Sequence, residues 1–105
     1  MKIKSVDCPT LKSWIAKDEA VLIDVREVAE NQAERIENSH LIPLGTVDVD
    51  KLPELNGKKL VIHCKMGGRS AAACERLLAQ NPDLDVYNLE GGINAWKNCG
   101  FKIIT

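Results

Sequence analysis

Two short, nearly unbroken apolar runs constrain this chain most: Val21-Leu22-Ile23-Asp24-Val25 and Leu60-Val61-Ile62-His63. A strand with one wet face alternates apolar and polar residues, whereas a run apolar at successive positions is covered on both faces. Helical patterns fall between the runs. Ile3 to Val6 reads as a short edge strand. Pro9 opens a helix at its first turn, with Leu11, Trp14 and Ile15 on one face. Glu27 to Ala33 reads as a helix with a thin apolar stripe, and His40-Leu41-Ile42 as a strand stopped by Pro43. The turn at Asn56-Gly57 precedes the second buried run. Ser70 to Gln80 reads as a helix with Ala71, Cys74, Leu77 and Leu78 as its stripe, stopped by Asn81-Pro82. Val86 to Leu89 is the last expected strand, and Ile93 and Trp96 mark a final helix ending near Gly100. Strands alternating with short helices imply an α/β fold with a mainly parallel sheet and helices on both faces.

The totals narrow the function classes. A length of 105 residues fits one domain over 1–105. A net charge of -1 argues against a general nucleic-acid binder. No apolar run approaches the length of a membrane span. Met1-Lys2-Ile3-Lys4-Ser5 has basic residues but no apolar stretch behind them, so no secretory leader is expected and the cytoplasm is the expected compartment. The four cysteines, Cys8, Cys64, Cys74 and Cys99, form no C-x-x-C pair, which argues against a zinc site. A reducing compartment argues against a disulfide framework. Any special cysteine must be found from its setting.

Cys64 has such a setting. The segment Cys64-Lys65-Met66-Gly67-Gly68-Arg69-Ser70 lies between a strand and a helix, at the end of the sheet where ligands bind in this class of fold. Gly67 and Gly68 allow positive φ, so the backbone can curl its amides around one point as an anion nest. Ser70 is a good N-cap, so the next helix is expected to start there with its positive end toward the loop. Lys65 and Arg69 add two positive charges, and no acidic residue occurs from Gly57 to Cys74. All of this lowers the pKa of a thiol at Cys64 and attracts a small dianion. Cys74, on an apolar stripe, reads as a core residue. Cys8 and Cys99 read as packing or idle surface thiols.

Three motifs together resemble the rhodanese family over nearly the whole chain. Asp24-Val25-Arg26-Glu27 resembles its D-V-R-E, Cys64 to Ser70 its C-x-x-G-x-R-S active-site loop, and Leu89-Glu90-Gly91-Gly92-Ile93-Asn94-Ala95-Trp96 its closing L-x-G-G-x-x-A-W. The resemblance implies a three-layer fold around a five-stranded parallel sheet. It implies a cofactor-free, metal-free thiosulfate sulfurtransferase with Cys64 as the persulfide-forming residue. It also implies an anion site built from the amides of Met66, Gly67, Gly68 and Ser70 with the Lys65 and Arg69 side chains. Thiosulfate and cyanide are the implied laboratory donor and acceptor. A small thiol or a protein is the expected acceptor where no second domain covers the site. One stretch departs: where the family often has H-I-x-G-A, this chain has Arg35-Ile36-Glu37-Asn38-Ser39, with a local packing effect expected.

Other readings stand beside these. A cysteine phosphatase would need C-x5-R, but Ser70 holds the arginine position and Arg69 comes one residue early. A non-catalytic binding module would have no use for a reactive Cys64. A redox sensor would need a resolving cysteine, for which Cys74 is closest in sequence. Asp24 and Arg26 fit a buried ion pair as well as a site role. His63 reads as a packed histidine rather than a base, His40 as a strand residue without a named partner, Gly91-Gly92 as a tight turn, and Trp14 and Trp96 as core anchors.

Overall fold

The computed structural model describes residues 3–105; Met1 and Lys2, the start of the stretch read for a leader, lie outside the described residues. Five parallel strands form one sheet in the order β1-β5-β4-β2-β3. They are β1 (Lys4–Val6), β2 (Ala20–Asp24), β3 (His40–Leu41), β4 (Lys59–His63) and β5 (Val86–Leu89), linked by helices α1 (Cys8–Ala16), α2 (Val28–Ala33), α3 (Gly68–Gln80) and α4 (Gly92–Asn98). The continuous runs take the centre, as full coverage demands. β4 pairs with β2 on one side and β5 on the other. No described helix is long and apolar enough to cross a membrane.

Alternation along the strands divides the core in two. Leu60 and Ile62 of β4, with Ile23, face the layer made by Ala73, Cys74, Leu77 and Leu78 of α3. Val61 and Leu22 face the other layer, with Leu11 of α1 and Ile93 and Trp96 of α4. α1 starts as expected: Asp7 is its N-cap, accepting from the Thr10 amide at 2.9 Å, and proline occupies its first turn. Trp14 is half-buried and packs edge-on against Tyr87, with ring centroids 5.0 Å apart. Trp96 is buried, and its indole N–H donates to the Lys102 carbonyl at 2.9 Å.

Two expectations about α3 are corrected. The helix begins at Gly68, with Gly67 in a left-handed conformation (φ 119°) as its N-cap, so Ser70 lies inside the first turn. A glycine that reaches positive φ lets the chain turn into the helix earlier than a serine cap would. The stripe accordingly runs through Ser70, Ala73, Cys74, Leu77 and Leu78, and Ala71 is only half-buried.

The Arg35 to Ser39 departure keeps its backbone shape. Ile36 is buried, Asn38 adopts φ 65° at the position where the family has glycine, and Arg35 exchanges backbone hydrogen bonds with Ile104 at 2.9 and 2.8 Å. Asparagine tolerates the left-handed region better than most residues.

Asp24 and Arg26 form the buried ion pair, 2.8 Å apart. The Asp24 carboxylate also accepts from the Arg26 amide at 3.0 Å and from Asn31 at 3.0 Å, and Arg26 donates to the Glu34 carbonyl at 2.7 Å. The pair thus ties the end of β2 to the second half of α2 and its C-cap. Burial pushes the Asp24 carboxyl up, but these donors outweigh it and hold it below the ordinary value. Asp24→Ala should destabilise the fold by about 3–5 kcal/mol, because it strands a buried guanidinium. The urea midpoint measures this, and a loss below about 1 kcal/mol would show that the arginine finds another partner.

Candidate active site

β4 ends at His63, and the chain then folds over itself for four residues before α3 begins. The Cys64 side chain is 1% exposed and points into the turn. Its Sγ accepts from the Gly67 amide at 3.1 Å and the Ser70 amide at 3.3 Å, and lies 3.3 Å from the Ser70 hydroxyl. That last contact runs either way: a thiol donates to Ser70 Oγ, and a thiolate accepts the hydroxyl's single proton when it turns from Asn88 Oδ1 to the sulfur. Burial pushes the Cys64 thiol up, but the hydroxyl and amide of Ser70 and the amides of Gly67 and Met66 outweigh it. The thiol therefore lies below its ordinary value of 9.0. The positive end of α3 adds to the same effect. Burial drives the other buried thiols the opposite way, Cys74 up to about 12 and Cys8 up to about 11. Cys74 stays an inert thiol in the core.

Two supports behind this turn escaped the sequence reading. Asn88 of β5 holds the Ser70 hydroxyl at 2.5 Å through Oδ1 and donates to the Gly67 carbonyl at 3.2 Å through Nδ2. Its only signal was a polar residue inside an otherwise apolar strand. The second support is the start of α4. The Ile93 amide donates to the Cys64 carbonyl at 2.9 Å, and the Asn94 amide to the Lys65 carbonyl at 3.1 Å. Gly92 makes this approach possible. It has φ 58°, and a Cβ there would lie 2.5 Å from the Cys64 oxygen and 2.6 Å from the Lys65 carbonyl. The glycine pair is therefore more than a turn, because its second member fits against the backbone of the cysteine loop.

The charged residues are arranged less simply than their spacing implies. Arg69 makes a two-pronged pair with Glu30 of α2, at 2.7 and 2.9 Å. Glu30 also accepts from the Glu27 amide at 3.0 Å, closing a capping box at the start of α2. Chiefly through Arg69, its carboxyl is held down at about 2. Lys65 is exposed, with no carboxylate partner among the described residues. It lines a groove of about 290 Å³ together with Arg26, Glu30, Glu34, Asn94 and Lys97. Met66, the next residue of the loop, is 69% exposed. His63 is buried, with Nδ1 3.2 Å from the Cys64 carbonyl oxygen and Nε2 4.0 Å from Asp24, and burial pushes its pKa down. It packs behind the loop and does not reach the sulfur by any hydrogen bond.

Gly92→Ala should lower stability by about 2–4 kcal/mol through overpacking and a left-handed alanine. It should also slow alkylation of Cys64. A urea midpoint and an alkylation rate equal to wild type would show that α4 does not brace the loop. The Glu30–Arg69 pair has an acid signature. Because folding depresses the Glu30 pKa from 4.5 to about 2, its stabilisation is complete above 4.5 and is lost as pH falls from 4.5 toward 2. The stability difference between wild type and Glu30→Gln, followed by urea unfolding, should shrink through that window. A difference independent of pH would mean that the charge of Glu30 contributes nothing.

Comparison with known proteins agrees with this fold. The model of the rhodanese-like domain matches residues 7–99. A sulfurtransferase of Allochromatium vinosum is 33% identical, over 97% of this chain and 95% of its own. An uncharacterised protein of Synechocystis is also 33% identical over 90% of this chain, which spans 52% of that relative's length. The crystal structure of a rhodanese-related protein from Thermoplasma volcanium superposes with a TM-score of 0.82 at 31% identity, covering 96% of this chain and 97% of its own. With a parallel five-stranded sheet and a matching cysteine loop, the chain belongs to the rhodanese-like domain family.

Proposed function

We propose that this protein is a sulfurtransferase that carries a sulfane sulfur on Cys64. The observation that carries this reading is the convergence of two amides and one hydroxyl on Cys64 Sγ at 3.1–3.3 Å. The Allochromatium relative, a sulfurtransferase matched over nearly its full length, supports transfer of sulfur in general.

The chemistry is a double displacement. The Cys64 thiolate attacks the outer sulfur of thiosulfate or of a persulfide. The donor's S–S bond breaks, its electron pair leaves on sulfite or on a thiolate, and Cys64 keeps the sulfur as a persulfide anion. A nucleophilic acceptor (cyanide, a small thiol or a protein) attacks that outer sulfur and returns the Cys64 thiolate. No separate general base is drawn into the scheme, since the loop donors favour the ionised form of the attacking sulfur. The loop amides that stabilise the thiolate are placed to hold the persulfide charge, as an oxyanion hole holds its oxygen. Lys65 and the amides of Met66, Gly67, Gly68 and Ser70 make up the proposed anion site, and Arg69 borders it with its guanidinium held by Glu30. Neither cofactor nor metal enters this scheme. The cytoplasm, where thiols stay reduced, is the proposed compartment.

A phosphatase reading is weaker on two counts. Arg69 follows Cys64 after four intervening residues rather than five, and its guanidinium is committed to Glu30. Intact mass after brief incubation with thiosulfate or a persulfide separates the readings. Wild type should gain one sulfur atom, which cyanide removes, and Cys64→Ser should gain none. A sulfur gain that persists in Cys64→Ser, or no gain with either donor, would contradict the proposal.

A further inference from the structure

The cations around the cysteine loop are almost fully matched by carboxylates. Arg69 is held by Glu30, Lys97 by Glu34 at 2.7 Å and Arg26 by Asp24. In the groove that Lys65 lines with Arg26 and Lys97, it is the one cation without a carboxylate partner among the described residues, and it directly follows Cys64 in the loop. This changes what the mouth can attract. A dianion feels an added negative charge twice as strongly as a monoanion does. Its hydration energy scales with the square of its charge, so moving it into a partly dehydrated site costs about four times as much. One uncompensated lysine suits a singly charged donor better than thiosulfate.

Resting on the sulfurtransferase reading, we propose that the sulfur donor is a singly charged organic persulfide, and that Glu30 is the residue that selects it against dianionic thiosulfate. The donor R–S–S⁻ gives its outer sulfur to the Cys64 thiolate, its S–S bond breaks, and R–S⁻ leaves with the electron pair. The charge is the same on both sides of the step. Glu30 acts through Arg69: by neutralising the guanidinium, it removes the second cation that a dianion would need. The motif alone shows the arginine but not its carboxylate partner, which comes from α2.

Glu30→Gln tests this directly. Glutamine keeps an oxygen to accept the Glu27 amide in the capping box and can still meet Arg69, but it removes the charge. The readout is the second-order rate constant for charging Cys64, taken from intact mass at quenched times. The donors are thiosulfate and the persulfide of 2-mercaptoethanol, which carries no other charge. Wild type should charge faster with the persulfide. In Glu30→Gln the thiosulfate constant should rise roughly five- to tenfold and the persulfide constant by about its square root, roughly two- to threefold. Both gains should shrink at high salt. Glu34→Gln, at the groove's other carboxylate, should shift the two donors in the same proportion if the field is the cause. Equal gains with both donors, or a thiosulfate constant that is unchanged or lower in both variants, would overturn the role of Glu30 while leaving sulfur transfer intact. Failure of wild type to charge with either donor would overturn this proposal and the sulfurtransferase reading together.

Discussion

The hydrogen bonds converging on Cys64 Sγ are the constraint around which the molecule is built. A buried thiol is normally inert, because burial disfavours the thiolate, as Cys74 and Cys8 show in the same chain. At Cys64 the penalty of burial is present too, and it is outweighed by donors that a turn of four residues aims inward. Those donors cost little reorganisation during a reaction, since the fold has already oriented them.

Holding that turn takes three elements. β4 delivers Cys64 to the carboxyl end of the sheet, between β2 and β5. Asn88 of β5 grips Ser70 and Gly67 from the front of α3. The first amides of α4 grip the Cys64 and Lys65 carbonyls from the other layer, at a contact so close that only glycine fits at position 92. The backbone groups of the loop are thus divided: amides face the sulfur and two carbonyls face α4. On the far side, the Asp24–Arg26 pair fixes α2, which carries Glu30 to Arg69.

The layers of the fold were legible in the sequence because they rest on local pattern. The run Leu60 to His63 and the span Val86 to Leu89 became central strands, and the loop starting at Cys64 stood where strand gives way to helix. What sequence could not show depends on contacts between distant segments. Arg69 and Glu30 lie 39 positions apart, so a stretch free of acidic residues still met a carboxylate in space. The reading of Ser70 as a cap failed because Gly67, with its free φ, took that place first. Ser70 thereby became available to the sulfur. Gly92 was visible as a glycine, but its reason is the backbone of a loop nearly thirty residues earlier.

The sulfur-carrying role of Cys64 depends on the loop donors favouring its thiolate over its thiol. The direct measurement is the ultraviolet thiolate absorbance as a function of pH, taken as the difference between wild type and Cys64→Ser. A single titration with a midpoint below the ordinary cysteine value of 9.0, absent from the variant, is the result the structure predicts. A midpoint at or above that value would mean that burial wins over the loop amides, and the sulfur-carrying role of Cys64 would lose its physical basis.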